Sequence, residues 1–153
     1  MTKRDKFPVF VDTADKKAVV IGGGKIAQRR IETLLKFDID ITVVSPDITK
    51  GIKQNLSDIT YINDVYKREY ISGAWLVSAC TDSRDTNRQI GIDAKAENIL
   101  VSVCDRKEEC NCYFPGVVTG ENVTIGICGD GKNHRDTKMV IDKIRNMFKR
   151  EKS

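Results

Sequence analysis

The chain has 153 residues, which suits one domain or a domain with an appendage. Hydrophobic residues make up 40% and charged residues 31%, so a packed core is expected and disorder is not. The net charge of +4 is too weak to argue for a duplex nucleic-acid partner but suits an anionic small molecule. No apolar run approaches the ~20 residues of a membrane span, and the start MTKRDKFPVF lacks a signal-peptide core. No membrane partner and a cytoplasmic location are expected. Five cysteines, an odd count with no CxxC pair, read as free structural or incidental thiols. The usual zinc spacing is absent, so no metal site is expected.

In chain order, residues 17 to 22 (KAVVIG) read as a short buried strand ended by glycine. Gly24 to Lys36 reads as a helix, with Ile26, Ala27, Ile31, Leu34 and Leu35 at helical spacing. Residues 39 to 45 form a second strand that Pro46 stops, and residues 59 to 63 a shorter third. Residues 75 to 81 form a fourth, begun by Trp75, which is expected in the core. Thr86 to Asn98 reads as a helix despite Gly91, and residues 99 to 104 as a fifth strand. Strands alternating with helices mean βαβ units, a parallel sheet and a doubly wound arrangement. After Asp105 the pattern changes. Residues 112 to 118 and 122 to 128 read as a hairpin, joined by Thr119, Gly120 and Glu121. Arg135 to about Arg150 is a basic amphipathic helix with an apolar stripe of Val140, Ile141, Ile144, Met147 and Phe148. A hairpin and one helix are too little to fold alone, so this segment is expected to pack on something, a second copy being the natural candidate.

Gly22-Gly23-Gly24-Lys25-Ile26-Ala27 fits G-x-G-x-x-A between a strand and a helix. Gly22 allows the tight turn, Gly24 lets a pyrophosphate approach, and Ala27 lets the helix pack close to the sheet. The helix N-terminus offers free N–H groups to phosphates. The bland alternative is a tight turn with no ligand. The acidic residue expected ~20 residues on is not cleanly present. Strand two ends in Val44-Ser45-Pro46-Asp47, with Asp47 slightly beyond the usual place and no arginine for a 2′-phosphate, which leans to NAD over NADP.

Thr81, Asp82 and Asp105 follow strands four and five, whose carboxyl ends face the ligand crevice of such a sheet. Asp82 reads equally as a helix cap. Asp105 closes an apolar strand and is a candidate general base, against the alternative of a solvated loop acid. His134, the single histidine, reads as an exposed loop residue.

Six stretches carry a resemblance: FPVFVD, VVIGGGKIAQRRIETLL, ITVVSP, ACTDSRDTN, ILVSVCD and YFPGVV. In order and spacing they resemble the N-terminal module of sirohaem synthase and the stand-alone precorrin-2 dehydrogenases, from Phe7 to about Gly131. The resemblance implies a Rossmann-like doubly wound sheet followed by a hairpin-plus-helix dimerisation segment. It implies NAD-dependent oxidation of precorrin-2 to sirohydrochlorin by a homodimer, with iron insertion in some members. Carried over by position, Lys25, Ile26, Pro46 and Asp47 match the family's NAD contacts. Asp105 matches its aspartate implicated in dehydrogenation.

Residues 1–111 are thus expected to form the NAD-binding domain and 112–153 the dimerisation segment, with a helical C-terminus shorter than the family's. Two departures stand out: that shorter C-terminus, and Cys128 to His134 in place of a serine-rich loop, with Gly129 where the family often has a serine near the tetrapyrrole. Lys132, Arg135, Lys138, Lys143 and Arg145 are expected to complement the substrate's carboxylates, or else to form a solvated basic face. The rival to the enzyme is an NAD-sensing regulatory module without chemistry.

Overall fold

The computed structural model describes residues 6–129 and 133–150; Asp130, Gly131 and Lys132 of the altered loop lie outside the described residues. The chain forms two compact units, one from Asp12 to Tyr113 and one from Phe114 onward that includes the stretch up to Val11.

The first unit is a five-stranded parallel sheet in the order β3-β2-β1-β4-β5. Its strands are β1 (Lys17–Ile21), β2 (Asp40–Val44), β3 (Thr60–Ile62), β4 (Leu76–Ala79) and β5 (Leu100–Val103). Strand β1 is apolar because both of its faces are covered, the usual state of a parallel strand between helices. Helix α1 (Lys25–Leu34) buries Ala27, Ile31 and Leu34. A four-residue helix α2 (Lys50–Lys53) follows, started by Thr49, whose side chain accepts from the Ile52 N–H. Helix α3 (Arg84–Ala96) buries Ile90 and Ala94 against Val77, Ala79, Val101 and Val103. The order reverses between β1 and β4, so a crevice opens there beyond the carboxyl ends.

In the second unit, β6 (Gly116–Thr119) and β7 (Thr124–Ile127) pair antiparallel. The turn is closed by the Gly120 N–H donating to the Val123 carbonyl at 2.7 Å. Helix α4 (His134–Arg150) lies on β6. Ile141, Ile144 and Phe148 are half-buried, whereas Val140 and Met147 remain exposed, so only part of the expected stripe is covered.

Four local expectations are corrected. Helix α3 starts two residues early because Ser83 caps it, the Thr86 N–H donating to Ser83 Oγ at 3.3 Å. The hairpin's first strand starts at Gly116 rather than 112. The Asn111 and Cys112 N–H groups bond the Val101 carbonyl instead, and Pro115 has no N–H to give. Trp75 is half-buried ahead of β4, with the Lys16 ammonium 5.9 Å from its ring centroid. His134 is exposed but belongs to the first turn of α4.

Candidate functional site: a glycine turn and an acid pair on one sheet edge

The turn after β1 is held by backbone. The Gly22 N–H donates to the Val44 carbonyl at 2.9 Å, and the Cys80 N–H to the Ile21 carbonyl at 2.8 Å. Gly22 has φ +121°, and a Cβ there would lie 2.3 Å from the Cys80 carbonyl oxygen. Only glycine fits. A Cβ on Gly23 would lie 1.8 Å from the Asp47 carbonyl oxygen. The loop after β2 is therefore pressed against the glycine turn. The Thr49 N–H donates to the Gly23 carbonyl at 3.0 Å, and the Ser45 hydroxyl to the Asp47 carbonyl at 2.7 Å. Pro46 and Asp47 are exposed on that loop.

Gly24 differs from its neighbours. A Cβ there would meet nothing within 4 Å. It is the N-cap of α1, no side chain caps the helix, and no acid stands in the first turn. The first N–H groups of a ten-residue helix thus face open space beside an open glycine. This fits a pyrophosphate: nothing covalent blocks its approach, and the helix end carries a partial positive charge. Lys25 and Ile26 are exposed in the first turn, while Ala27 is fully buried.

Thr81 and Asp82 follow β4. Thr81 is pinned by Asn87 of α3, which is 1% exposed. The Thr81 N–H and hydroxyl donate to Asn87 Oδ1 at 3.0 and 2.7 Å, and Asn87 Nδ2 donates to the Thr81 carbonyl at 3.0 Å. The Asp82 side chain is exposed, and the capping role falls to Ser83 instead.

Asp105 stands two residues beyond β5, paired with Arg84 Nη1 at 2.6 Å. The other guanidinium nitrogen, Nη2, pairs with Glu109. One arginine at the start of α3 therefore holds two carboxylates from the loop after β5. Desolvation pulls the Arg84 pKa down, but the hydrogen bonds it donates to Glu109 and Asp105 outweigh it and leave the guanidinium above its usual value. Gly22 and Asp105 follow strands two positions apart in the sheet, about 10 Å at the usual strand spacing.

The structure thus brings the glycine turn, the β2 loop, Thr81, Asp82 and Asp105 to one edge of the sheet. Arg84, Glu109 and Asn87 were missed from sequence. Asn87 left one signal: a polar residue on the α3 stripe that continues through Ile90, Gly91 and Ala94. Of the basic residues expected to meet a substrate, Arg135, Lys138, Lys143 and Arg145 are exposed on α4, and Arg145 pairs with Asp142 at 3.5 Å. Among the described residues no group of three or more His, Cys, Asp or Glu side chains is placed to hold a metal ion. None of the described helices is long and apolar enough to cross a membrane.

The fold and this edge define a Rossmann-like dinucleotide-binding protein. Residues 9–116 match a protein family described as "Putative NAD(P)-binding", and the chain belongs to that family. It is similar to the "Probable multifunctional siroheme biosynthesis protein HemA" of Ruminiclostridium josui, 38% identical over 143 residues. That match covers 92% of this chain and 28% of the relative. It is also 38% identical over 128 residues to a "Siroheme synthase" of Psychrobacter sp. (strain PRwf-1), covering 82% of this chain and 26% of the relative. The chain therefore spans about a quarter of the length of these curated relatives. The solved structure of "SirC, precorrin-2 dehydrogenase" shares the fold, with a TM-score of 0.78 at 21% identity. That match covers 94% of this chain and 71% of the other.

Proposed function

We propose that the chain oxidises precorrin-2 to sirohydrochlorin with NAD, in the formation of sirohaem. The observation that carries this reading is the shared sheet edge: an open glycine at a bare helix N-terminus after β1, and a carboxylate after β5, two strands along. The relatives' names, siroheme synthase and precorrin-2 dehydrogenase, support the substrate class.

NAD, when bound, accepts the hydride. The chain's residues do the rest. The α1 N-terminus and Gly24 seat the pyrophosphate. Lys25, Ile26, Pro46 and Asp47 border the adenosine side, with Thr81 and Asp82 next along the edge. Asp47 on the loop after β2, with no arginine beside it there, disfavours a 2′-phosphate, so NAD is chosen over NADP. Asp105 takes the proton that leaves the macrocycle carbon, and Arg84 fixes the direction of its carboxylate.

The same reading includes a cytoplasmic homodimer. All five cysteines are free thiols, which suits a reducing compartment. Met139, Val140 and Met147 are exposed on α4, apolar surface that a second copy would cover. Light scattering at micromolar concentration should give twice the chain mass; a monomer would remove the dimer from the reading.

A second reading, an NAD-sensing module without chemistry, draws on the Arg84 pair: the Asp105 carboxylate is already engaged. One assay separates the two. Protein, NAD and enzymatically made precorrin-2 are mixed, with NADP in parallel, and the sirohydrochlorin spectrum is followed. Its appearance with NAD supports the dehydrogenase. Tight NAD binding without any spectral change selects the sensor. Added ferrous iron tests for sirohaem in the same cuvette.

A further inference from the structure

Two thiols on the same sheet edge have no part in the chemistry above. Cys80 and Cys104 are the residues that follow β4 and β5. Those strands pair Ser78 with Ser102 and Ala79 with Val103. The Cys104 N–H continues the ladder, donating to the Ala79 carbonyl at 3.0 Å. Cys80 and Cys104 therefore sit side by side, on the face that carries Ser78 and Ser102. Neighbouring strands lie about 4.8 Å apart. A disulfide needs Cα atoms roughly 4.4–6.8 Å apart, so the backbone is already within range.

The surroundings favour reaction. Ser78 Oγ lies 3.3 Å from Cys80 Sγ, Asn87 Nδ2 lies 3.9 Å from Cys104 Sγ, and the positive charge of Arg30 on α1 favours a Cys80 thiolate. The neighbouring Cys104 thiol is the largest influence that brings the Cys80 thiol down to about 7, against the cost of burial. The neighbouring Cys80, together with burial, pushes Cys104 up. One thiol is thus prepared as the nucleophile and the other stays protonated beside it. The other cysteines lack this arrangement. Cys110 Sγ accepts from the Val103 N–H at 3.1 Å, burial pushes the Cys112 thiol up, and Cys128 is exposed in the other unit.

We propose that Cys80 and Cys104 form an oxidisable dithiol, which a peroxide closes into an intramolecular disulfide across β4 and β5. The Cys80 thiolate attacks one peroxide oxygen. An S–O bond forms, the O–O bond breaks, and hydroxide leaves to take up a proton as water. The Cys104 sulfur then attacks the Cys80 sulfenic acid. The S–S bond forms, the S–O bond breaks, and the Cys104 proton leaves with the oxygen as a second water. Both sulfurs are oxidised and the peroxide is reduced. The new bond silences the site, because Cys104 directly precedes Asp105 and the Cys80 carbonyl lies under Gly22. This silencing rests on the dehydrogenase reading; the bond does not.

The test uses the full chain in a Cys128→Ser background, which removes the exposed thiol. Reduced protein is treated with a small excess of hydrogen peroxide, alkylated and mapped by peptide mass. A Cys80–Cys104 cross-linked peptide that dithiothreitol reverses is expected as the dominant product. Cys104→Ser should instead leave a dimedone-reactive sulfenic acid at Cys80. Arg30→Met should slow the reaction about tenfold, since it removes a cation beside the thiolate. Cys80 and Cys104 both remaining alkylatable while Cys110 or Cys112 oxidises would overturn the proposal. So would a cross-link that joins two chains. Peroxide should also remove most precorrin-2 turnover, and dithiothreitol should restore it. Unchanged turnover of the cross-linked protein would overturn the silencing. A reduced protein with no turnover at all would fault the dehydrogenase reading, while the peptide map still judges the bond.

Discussion

The turn after β1 makes its contacts through backbone atoms, whereas the loop after β5 makes its own through charged side chains. Gly22 and Gly23 are held by backbone bonds to Val44 and Thr49 and pressed close to the carbonyl oxygens of Cys80 and Asp47. Asp105 and Glu109 are fixed by one guanidinium from α3. The first side suits a ligand that must be held in one place, since backbone positions shift little. The second suits a group that must exchange partners, since an ion pair about a third exposed is worth only about 0–1 kcal/mol and can be opened. Substitutions on the first side are expected to act on binding or folding, and substitutions on the second on turnover.

The largest effect is expected at Gly24. An aspartate there places a negative charge where the pyrophosphate would sit, so calorimetry should show NAD binding lost. The fold should survive, because a Cβ at Gly24 meets nothing within 4 Å. Aspartate is also a good N-cap, so Tm should hold or rise by the equivalent of a few tenths of a kcal/mol. Equal NAD affinity in the variant would remove the cofactor from this turn.

Asp105→Ala and Asp105→Asn come next. Loss of a general base costs about 100-fold to 10,000-fold in rate. Both variants should keep NAD affinity and lose most sirohydrochlorin formation. Near-full turnover in both would reduce Asp105 to a loop acid and move the search for a base to Asp82.

Gly22→Ala sharpens the contrast within the glycine turn itself. Its φ of +121° and the 2.3 Å approach to the Cys80 carbonyl leave no room for a methyl group. We expect a loss on the order of 3 kcal/mol of stability, read by denaturant unfolding. Gly24→Asp and Gly22→Ala should therefore fail differently, one in binding and one in folding. Comparable stability losses in both would mean that the turn is not divided as described.

The backbone side was the more legible from sequence, for a physical reason. Local rules set it: apolar runs made β1, β2, β4 and β5 readable, and the glycine spacing marked the turn between β1 and α1. The side-chain partners depend on register between distant segments. Arg84 and Asp105 are 21 residues apart and Arg84 and Glu109 are 25, so no local pattern links them. Thr49 and α2 were missed because one helical turn leaves too short a period to see. The hairpin's late start at Gly116 follows from bonds to Val101, again set by register. The cysteines illustrate the same limit. Residues 80 and 104 look unrelated until β4 and β5 are laid side by side.

The smallest effect is expected at Arg84, and it tests the charged side most directly. Arg84 bridges Asp105 and Glu109 with separate guanidinium nitrogens, so its planar fork sets both carboxylates at once. It is a positioning residue under this reading. Arg84→Met removes the fork and leaves Asp105 free to turn toward water. Turnover should fall about tenfold, the scale of a carboxylate left to find its own orientation. Arg84→Lys should recover only part of that loss, because an ammonium is a point charge and cannot hold two carboxylates in fixed directions. Tm should barely move in either variant, since all three side chains are about a third exposed and such pairs contribute little to stability. The decisive readout is the split between kcat and KM for NAD. A lower kcat with unchanged KM places Arg84 behind Asp105 in the chemistry. A fall in Tm with kcat and KM moving together would make Arg84 a structural tie between α3 and the loop after β5, and the two sides of the crevice would then differ in composition but not in role.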